Sequence, residues 1–134
     1  MRRIFADAFF YLALLSERDA AHRKAAEIYR SGEITETVTT VAVLLEVADG
    51  LGGTPRRERC GAFLARMWSR PGTMIVSLSD TLVQRGLKLY RDRPDKAWSL
   101  TDCISFVVMA DEGLVDALTG DHHFEQAGFK ALLA

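Results

Sequence analysis

The sequence predicts an α/β domain of three layers, in which helices cover both faces of a central, mainly parallel sheet of four to five strands. Short segments rich in apolar and β-branched residues alternate with segments of helical length, which is the pattern of βαβ units. The 134 residues are 49% hydrophobic and 26% charged. These values suit one domain, residues 1–134, that buries its core without the help of disulfides or a structural metal.

The first half of the chain is predicted to contain two strands and four helices. Residues 4–7 and 34–39 are the strands, and residues 9–15, 20–29, 41–51 and 55–69 are the helices. Gly32 ends the second helix, and Pro55 suits the first turn of the fourth. These elements provide two strand–helix units in succession.

The second half continues the same alternation. Strands are predicted at residues 74–78 and 114–119, with helices at 80–91 and 100–111 between them. Ser79 and Ser99 are suitable N-caps for these helices, and Gly113 ends the second one. A polar turn and a short tail are expected after residue 119.

Composition excludes several classes of protein. A net charge of −1 gives no global sign of a nucleic-acid partner. The apolar run at residues 8–15 is shorter than the roughly 18–20 residues of a membrane span, and acidic residues interrupt the signal-peptide pattern. Cys60 and Cys103 lie far apart and outside any CxxC motif, so we expect reduced thiols. The sequence therefore predicts a cytoplasmic protein without a membrane segment.

Four acidic residues are predicted near the carboxyl-terminal edge of the sheet, where open parallel sheets bind ligands. Asp7 ends the first strand and Asp121 follows the last. Glu46 is the only charge among residues 41–48, where Ala42 and Gly50 on the same helical face are expected to leave open space beside it. Asp102 begins a helix whose following residues carry no charge.

Each acid also has a simpler interpretation. Asp7 could cap the following helix, and Glu46 could reach solvent. Asp102 stands three residues after Ser99, as in a capping box, and Asp121 fits a turn after glycine. Together, however, four carboxylates at one edge repel one another and are costly to desolvate, so the cluster requires a cation. Mg²⁺ prefers such oxygen ligands and promotes phosphodiester hydrolysis.

These segments resemble those of the PIN-domain family, and most closely its VapC-type toxin ribonucleases. The resemblance is carried by Asp7 after a short strand, TTVAVLLEVADGL with Glu46, WSLTDCISFVVM with Asp102, and DALTGDHHFEQAGF with Asp121. It implies a nuclease fold in which these four residues are the catalytic and metal-binding groups, with Mg²⁺ or Mn²⁺ as cofactor. It also implies cleavage of single-stranded or structured RNA such as tRNA, a homodimer, and a VapB-type antitoxin partner.

Other acidic residues and the histidines have weaker claims to a site. Asp49 could border the pocket, Asp116 could be an accessory ligand or cap the sheet edge, and Asp80 is expected to support a helix N-terminus. His122 and His123 are adjacent and have no cysteine partner at zinc-finger spacing, so zinc is not expected. His123 is expected to pack and orient next to Asp121.

Two basic runs could contact phosphate or could simply be solvated helix faces. Residues 55–70 carry a net charge of +4 and residues 85–96 a net charge of +3, and Trp68, Tyr90 and Trp98 are available for base stacking. Trp98 could equally belong to the core. Two alternative functions remain. One is a PIN-like RNA- or protein-binding module without turnover, and the other is a receiver-like phosphoacceptor domain, which would need a late lysine that this sequence does not place suitably.

Overall fold

A computed structural model describes residues 2–134 of the chain. Its strands are β1 (Arg2–Ala6), β2 (Ile34–Thr40), β3 (Thr73–Val76), β4 (Asp116–Leu118) and β5 (Lys130–Ala131). All neighbouring strands pair in parallel, in the order β3-β2-β1-β4-β5. The predicted parallel sheet is therefore confirmed, at the upper end of the expected strand number.

Seven helices connect the described strands. They are α1 (Ala8–Leu15), α2 (His22–Arg30), α3 (Val41–Leu51), α4 (Arg57–Met67), α5 (Asp80–Asp92), α6 (Leu100–Asp111) and α7 (His122–Gln126). Helix α1 contacts α2 and α3, and α3 contacts α4, while α6 contacts both α5 and α7; α3 also contacts α6. The chain moves from β1 to β3 in one direction and then crosses back to β4, so right-handed connections place α1 to α4 on one face of the sheet and α5 to α7 on the other.

The sequence prediction missed the last two elements. Helix α7 has five residues and β5 has two, and neither is long enough to show a periodic pattern. Strand β1 also begins earlier than predicted, at Arg2. The reason is that the two arginines at its start find acidic partners, Arg2 with Asp116 at 3.0 Å and Arg3 with Glu112 at 2.6 Å.

An aromatic cluster fixes the carboxyl-terminal part of the chain to the sheet. Phe124 of α7 is fully buried, with ring-centroid distances of 4.9 Å to Phe106 and 6.2 Å to Phe5. Trp98 is 6% exposed, stacks edge-on against Phe106 and donates a hydrogen bond from Nε1 to Gln126. Trp98 therefore belongs to the core and is unavailable for base stacking, whereas α7 is held firmly although it is short.

Two predicted helix ends depend on glycine. Gly32 and Gly113 have φ of 73° and 66°, in the left-handed region that other residues rarely adopt. The cysteines are both buried and form no disulfide, as predicted. Among residues 2–134, no helix has the length and apolar character that crossing a bilayer requires.

Candidate active site

The strand order produces a topological switch point at the carboxyl-terminal edge of the sheet. The chain leaves β1 toward β2 on one side, while β4 joins β1 from the other side. Ligands of open parallel sheets bind at such a reversal. Asp7 follows β1 directly, and its backbone N–H donates to the carbonyl of Leu118, the last residue of β4, at 3.3 Å. The segment that leads to Asp121 begins at the same point.

Asp7 is buried and does not act as a helix cap. It occupies the N-cap position of α1, but its side chain accepts no capping hydrogen bond from the described part of the chain. Instead, Asp7 Oδ2 accepts a hydrogen bond from Thr119 Oγ1 at 2.9 Å. Burial raises the pKa of Asp7 to about 7, and the nearby Asp102 and Glu46 add to the rise, while hydrogen bonds from Thr119 and from the adjacent Ala8 backbone oppose it. Capping therefore does not explain this carboxylate.

Thr119 connects two of the acidic segments, and the sequence reasoning missed it. Its hydroxyl donates to Asp7 and accepts from the backbone N–H of Asp121 at 3.0 Å. The residue is fully buried, so these are the partners its hydroxyl has in place of water. The one signal in the sequence is its position between an apolar strand and a Gly-Asp turn. Thr119 holds the ends of β1 and β4 in a common geometry.

Asp102 both caps the start of α6 and belongs to the group of acids. It forms the expected capping box with Ser99, whose Oγ accepts from the Asp102 N–H at 2.9 Å and whose N–H donates to Asp102 Oδ2 at 3.1 Å. The residue is only 9% exposed, and it raises the pKa of both Asp7 and Glu46 by charge repulsion. Asp102 therefore begins α6 and also faces the other acids.

Glu46 and Asp121 are more accessible. Glu46 is exposed, yet its pKa is raised, first by desolvation of its carboxyl and then by repulsion from Asp102 and Asp121. Asp121 is partly buried, and its Oδ1 accepts from the backbone N–H of His123 at 2.9 Å. These shifts in pKa indicate that the four predicted acids lie within electrostatic range of one another. The reasoning about Gly50 was wrong, because Leu12 already fills that space, 3.1 Å from where a Cβ would lie.

The competing acids lie elsewhere. Asp116 is the first residue of β4 and pairs with Arg2, at the opposite end of the sheet from Asp7, so it is not an accessory ligand. Asp80 lies in the first turn of α5, as predicted. Asp49 is exposed and borders a surface groove between α3 and α4.

The comparisons with known proteins agree with this geometry. The PIN-domain family profile matches residues 4–130. The chain belongs to the PIN-domain family. The predicted family and fold are therefore confirmed, and the receiver-like alternative has no support.

The solved structures that are similar to this PIN domain include those of two bacterial proteins. Mycobacterium tuberculosis VapC20, a toxin that cleaves the sarcin–ricin loop, is 25% identical, with a TM-score of 0.85 over 94% of this chain and 95% of that chain. FitAcB from Neisseria gonorrhoeae is 13% identical, with a TM-score of 0.66 over 96% of this chain and 94% of that chain, and shows the fold alone. No curated protein sequence matches this one. Family membership and the likeness to VapC20 together support a ribonuclease of the toxin type.

Proposed function

We propose that this PIN domain is an endoribonuclease that depends on a divalent cation held by Asp7, Glu46, Asp102 and Asp121. The observation that carries the proposal is the state of Asp7. Its carboxyl is 6% exposed and lies near two further acids, so its ionisation is disfavoured in the metal-free protein. Acids placed in this way repel one another when ionised, and a bound cation would relieve that repulsion.

The donor set fits a hard divalent cation. Within residues 2–134, no lysine or arginine forms an ion pair with any of the four acids, and the only basic partners found are the histidines next to Asp121. All four proposed ligands offer carboxylate oxygens, which Mg²⁺ and Mn²⁺ accept together with water and substrate phosphate. We therefore propose Mg²⁺ or Mn²⁺ as the cofactor.

The four side chains would contribute in two ways. A bound divalent ion supplies the Lewis acidity that activates water and stabilises the departing oxygen in phosphodiester hydrolysis. Asp7 and Asp102 are buried and hydrogen-bonded, so they define a rigid part of the site. Glu46 and Asp121 are more accessible, and we assign them to the side that meets the substrate.

We propose structured RNA as the substrate. VapC20 cleaves the sarcin–ricin loop, and its likeness extends over nearly the whole chain, which makes a structured loop or tRNA the first class to test. Phosphate contacts would come from the basic residues of α4 and α5, with Trp68, 62% exposed, and Tyr90, 49% exposed, available for stacking. Salt bridges already engage part of the α5 charge, including Arg85 with Asp111 at 2.6 Å.

We further propose that this chain is the toxin of a toxin–antitoxin pair and that one segment of its antitoxin binds in a cavity away from the acids. A cavity with a mixed polar and apolar lining lies beneath α1, α2 and α4 at the amino-terminal end of β2, and aromatic side chains of Tyr11, Tyr29 and Phe63 form part of its wall. The aromatic side chains in this cavity support it as the place where an apolar antitoxin segment would bind. The exposed Leu45 and Val115 lie outside it and are candidates for the homodimer contact.

The test is cleavage of defined RNAs by the purified protein. A sarcin–ricin loop oligonucleotide, a tRNA and an unstructured RNA should be incubated with Mn²⁺, Mg²⁺ or EDTA. We expect cleavage with either metal and none with EDTA, and Asp7→Asn should remove it. Metal-independent cleavage, or RNA binding without cleavage under every condition, would show that the proposed activity is wrong.

A further inference from the structure

His123 lies between two of the four carboxylates. Its ring Nδ1 is 3.0 Å from Asp102 Oδ2 and 3.4 Å from Asp121 Oδ1. Its backbone N–H donates to the same Asp121 oxygen at 2.9 Å. One residue thus contacts an acid at the start of α6 and another at the start of α7.

The environment of Nδ1 determines which ring nitrogen of His123 carries the hydrogen. An ionised carboxylate only accepts hydrogen bonds, so the nitrogen facing Asp102 must be the one that bears hydrogen. This holds whether the imidazole is neutral or charged, because Nδ1–H is present in both forms. A nitrogen that donates in this way has no lone pair for a cation.

This assignment decides between two interpretations of a local cluster. Potential ligand atoms of Asp121, His122 and His123 lie within 4.8 Å of one another, as in a metal site. With its Nδ1–H directed at Asp102, His123 instead acts on carboxylates that could themselves bind metal. Histidines and carboxylates around metal sites commonly act through such outer hydrogen bonds.

The backbone of His123 is rigidly supported. The next residue, Phe124, is fully buried between Phe5 and Phe106. The segment before it is held by Thr119, whose hydroxyl accepts from the Asp121 N–H. The imidazole is therefore anchored on a fixed frame and can orient a neighbour.

We infer that His123 is a positioning residue whose Nδ1–H holds the Asp102 carboxylate in a metal-binding arrangement beside Asp121, which accepts from the backbone N–H of the same residue. The inference rests on the proposed nuclease function and concerns the same site. Without the donor, Asp102 loses a hydrogen bond that fixes its rotamer, and the two carboxylates repel each other without an intervening dipole. Loss of an outer hydrogen bond of this kind typically weakens metal affinity about 10- to 100-fold.

Two amide substitutions separate the roles of the ring nitrogens. In His123→Asn the side-chain NH₂ lies near the former Nδ1, whereas in His123→Gln it lies near the former Nε2. The matched control is His122→Asn, since the side chain of His122 is 72% exposed. Mn²⁺ binding to each full-length protein is measured by calorimetry and electron paramagnetic resonance, together with kcat, KM and the melting temperature.

We expect His123→Gln to weaken Mn²⁺ binding roughly 10- to 100-fold, and His123→Asn and His122→Asn to stay within a few-fold of wild type. The Gln variant should lose kcat at fixed metal and regain part of it at high Mn²⁺, with KM for RNA little changed. Equal effects of the two His123 substitutions, or a lowered melting temperature with unchanged Mn²⁺ affinity, would overturn this inference but would leave the proposed function standing. Absence of Mn²⁺ binding and RNA cleavage in wild type would overturn the proposed function as well.

Discussion

Replacing Asp7 with asparagine should stabilise the metal-free protein at neutral and alkaline pH. Burial and the repulsion of Asp102 and Glu46 raise the pKa of Asp7 from 3.8 to about 7. For a carboxyl whose pKa is higher in the folded state, the stabilising contribution is complete below the unfolded pKa and is lost as pH rises through the folded pKa. The loss therefore falls between 3.8 and about 7.

The size of this effect follows from the shift. About three pKa units at roughly 1.4 kcal/mol each give an upper limit of about 4 kcal/mol in the free energy of unfolding. In a domain of this length, that upper limit corresponds to about 10–15 °C in melting temperature. Asparagine carries no charge to desolvate, and its side-chain oxygen can still accept the hydrogen bond from Thr119 Oγ1. The variant should therefore equal wild type near pH 4 and exceed it by several degrees at pH 8.

The assay is thermal unfolding of both proteins in EDTA across this pH range, repeated with millimolar Mn²⁺. A cation that binds only the folded state stabilises it by mass action, so Mn²⁺ should raise the melting temperature of wild type far more than that of the variant. Asp116→Asn, the same chemical change at the opposite end of the sheet, is the matched control. Parallel pH curves for wild type and Asp7→Asn, or equal responses to Mn²⁺, would refute the reasoning.

Four further predictions address catalysis, regulation, packing and helix propensity. Asp102→Asn should reduce RNA cleavage by roughly 100-fold or more while the protein stays folded, because the amide oxygen can still accept from Ser99; full activity at equal Mg²⁺ would remove Asp102 from the site. If the antitoxin places a basic side chain against the acids, its inhibition should weaken as Mg²⁺ rises, and inhibition that is independent of metal would indicate blocked RNA access. Gly86→Ala should lower the free energy of unfolding by about 1–3 kcal/mol, since its Cβ would lie 2.6 Å from Ile104 Cγ1 and also crowd the α6 backbone. Gly61→Ala, a helical glycine with open space around it, should instead stabilise by about 0.5–1 kcal/mol in denaturant titrations.

Local sequence patterns accounted for most of the secondary structure. The Ser99–Asp102 capping box and the glycines that end α2 and α6 act within a few residues, so their spacing alone reports them. Alternation of strands and helices also sufficed for the parallel sheet, since parallel strands require crossover helices. The same rule placed Asp7 and Asp121 at one edge, because every strand of such a sheet ends on the same side.

Contacts between distant segments depended on the tertiary structure. The Thr119–Asp7 hydrogen bond joins residues 112 positions apart, and the His123–Asp102 contact joins α7 to α6. Whether Asp116 faced the acids depended on where β4 begins relative to β1, and the tertiary structure places it at the far end, beside Arg2. Hydrophobic periodicity specifies which face of an element is buried, but the partner of a polar side chain depends on strand order and register. Those are fixed only when the whole core packs, because each long-range contact is stabilised by others far away in the chain.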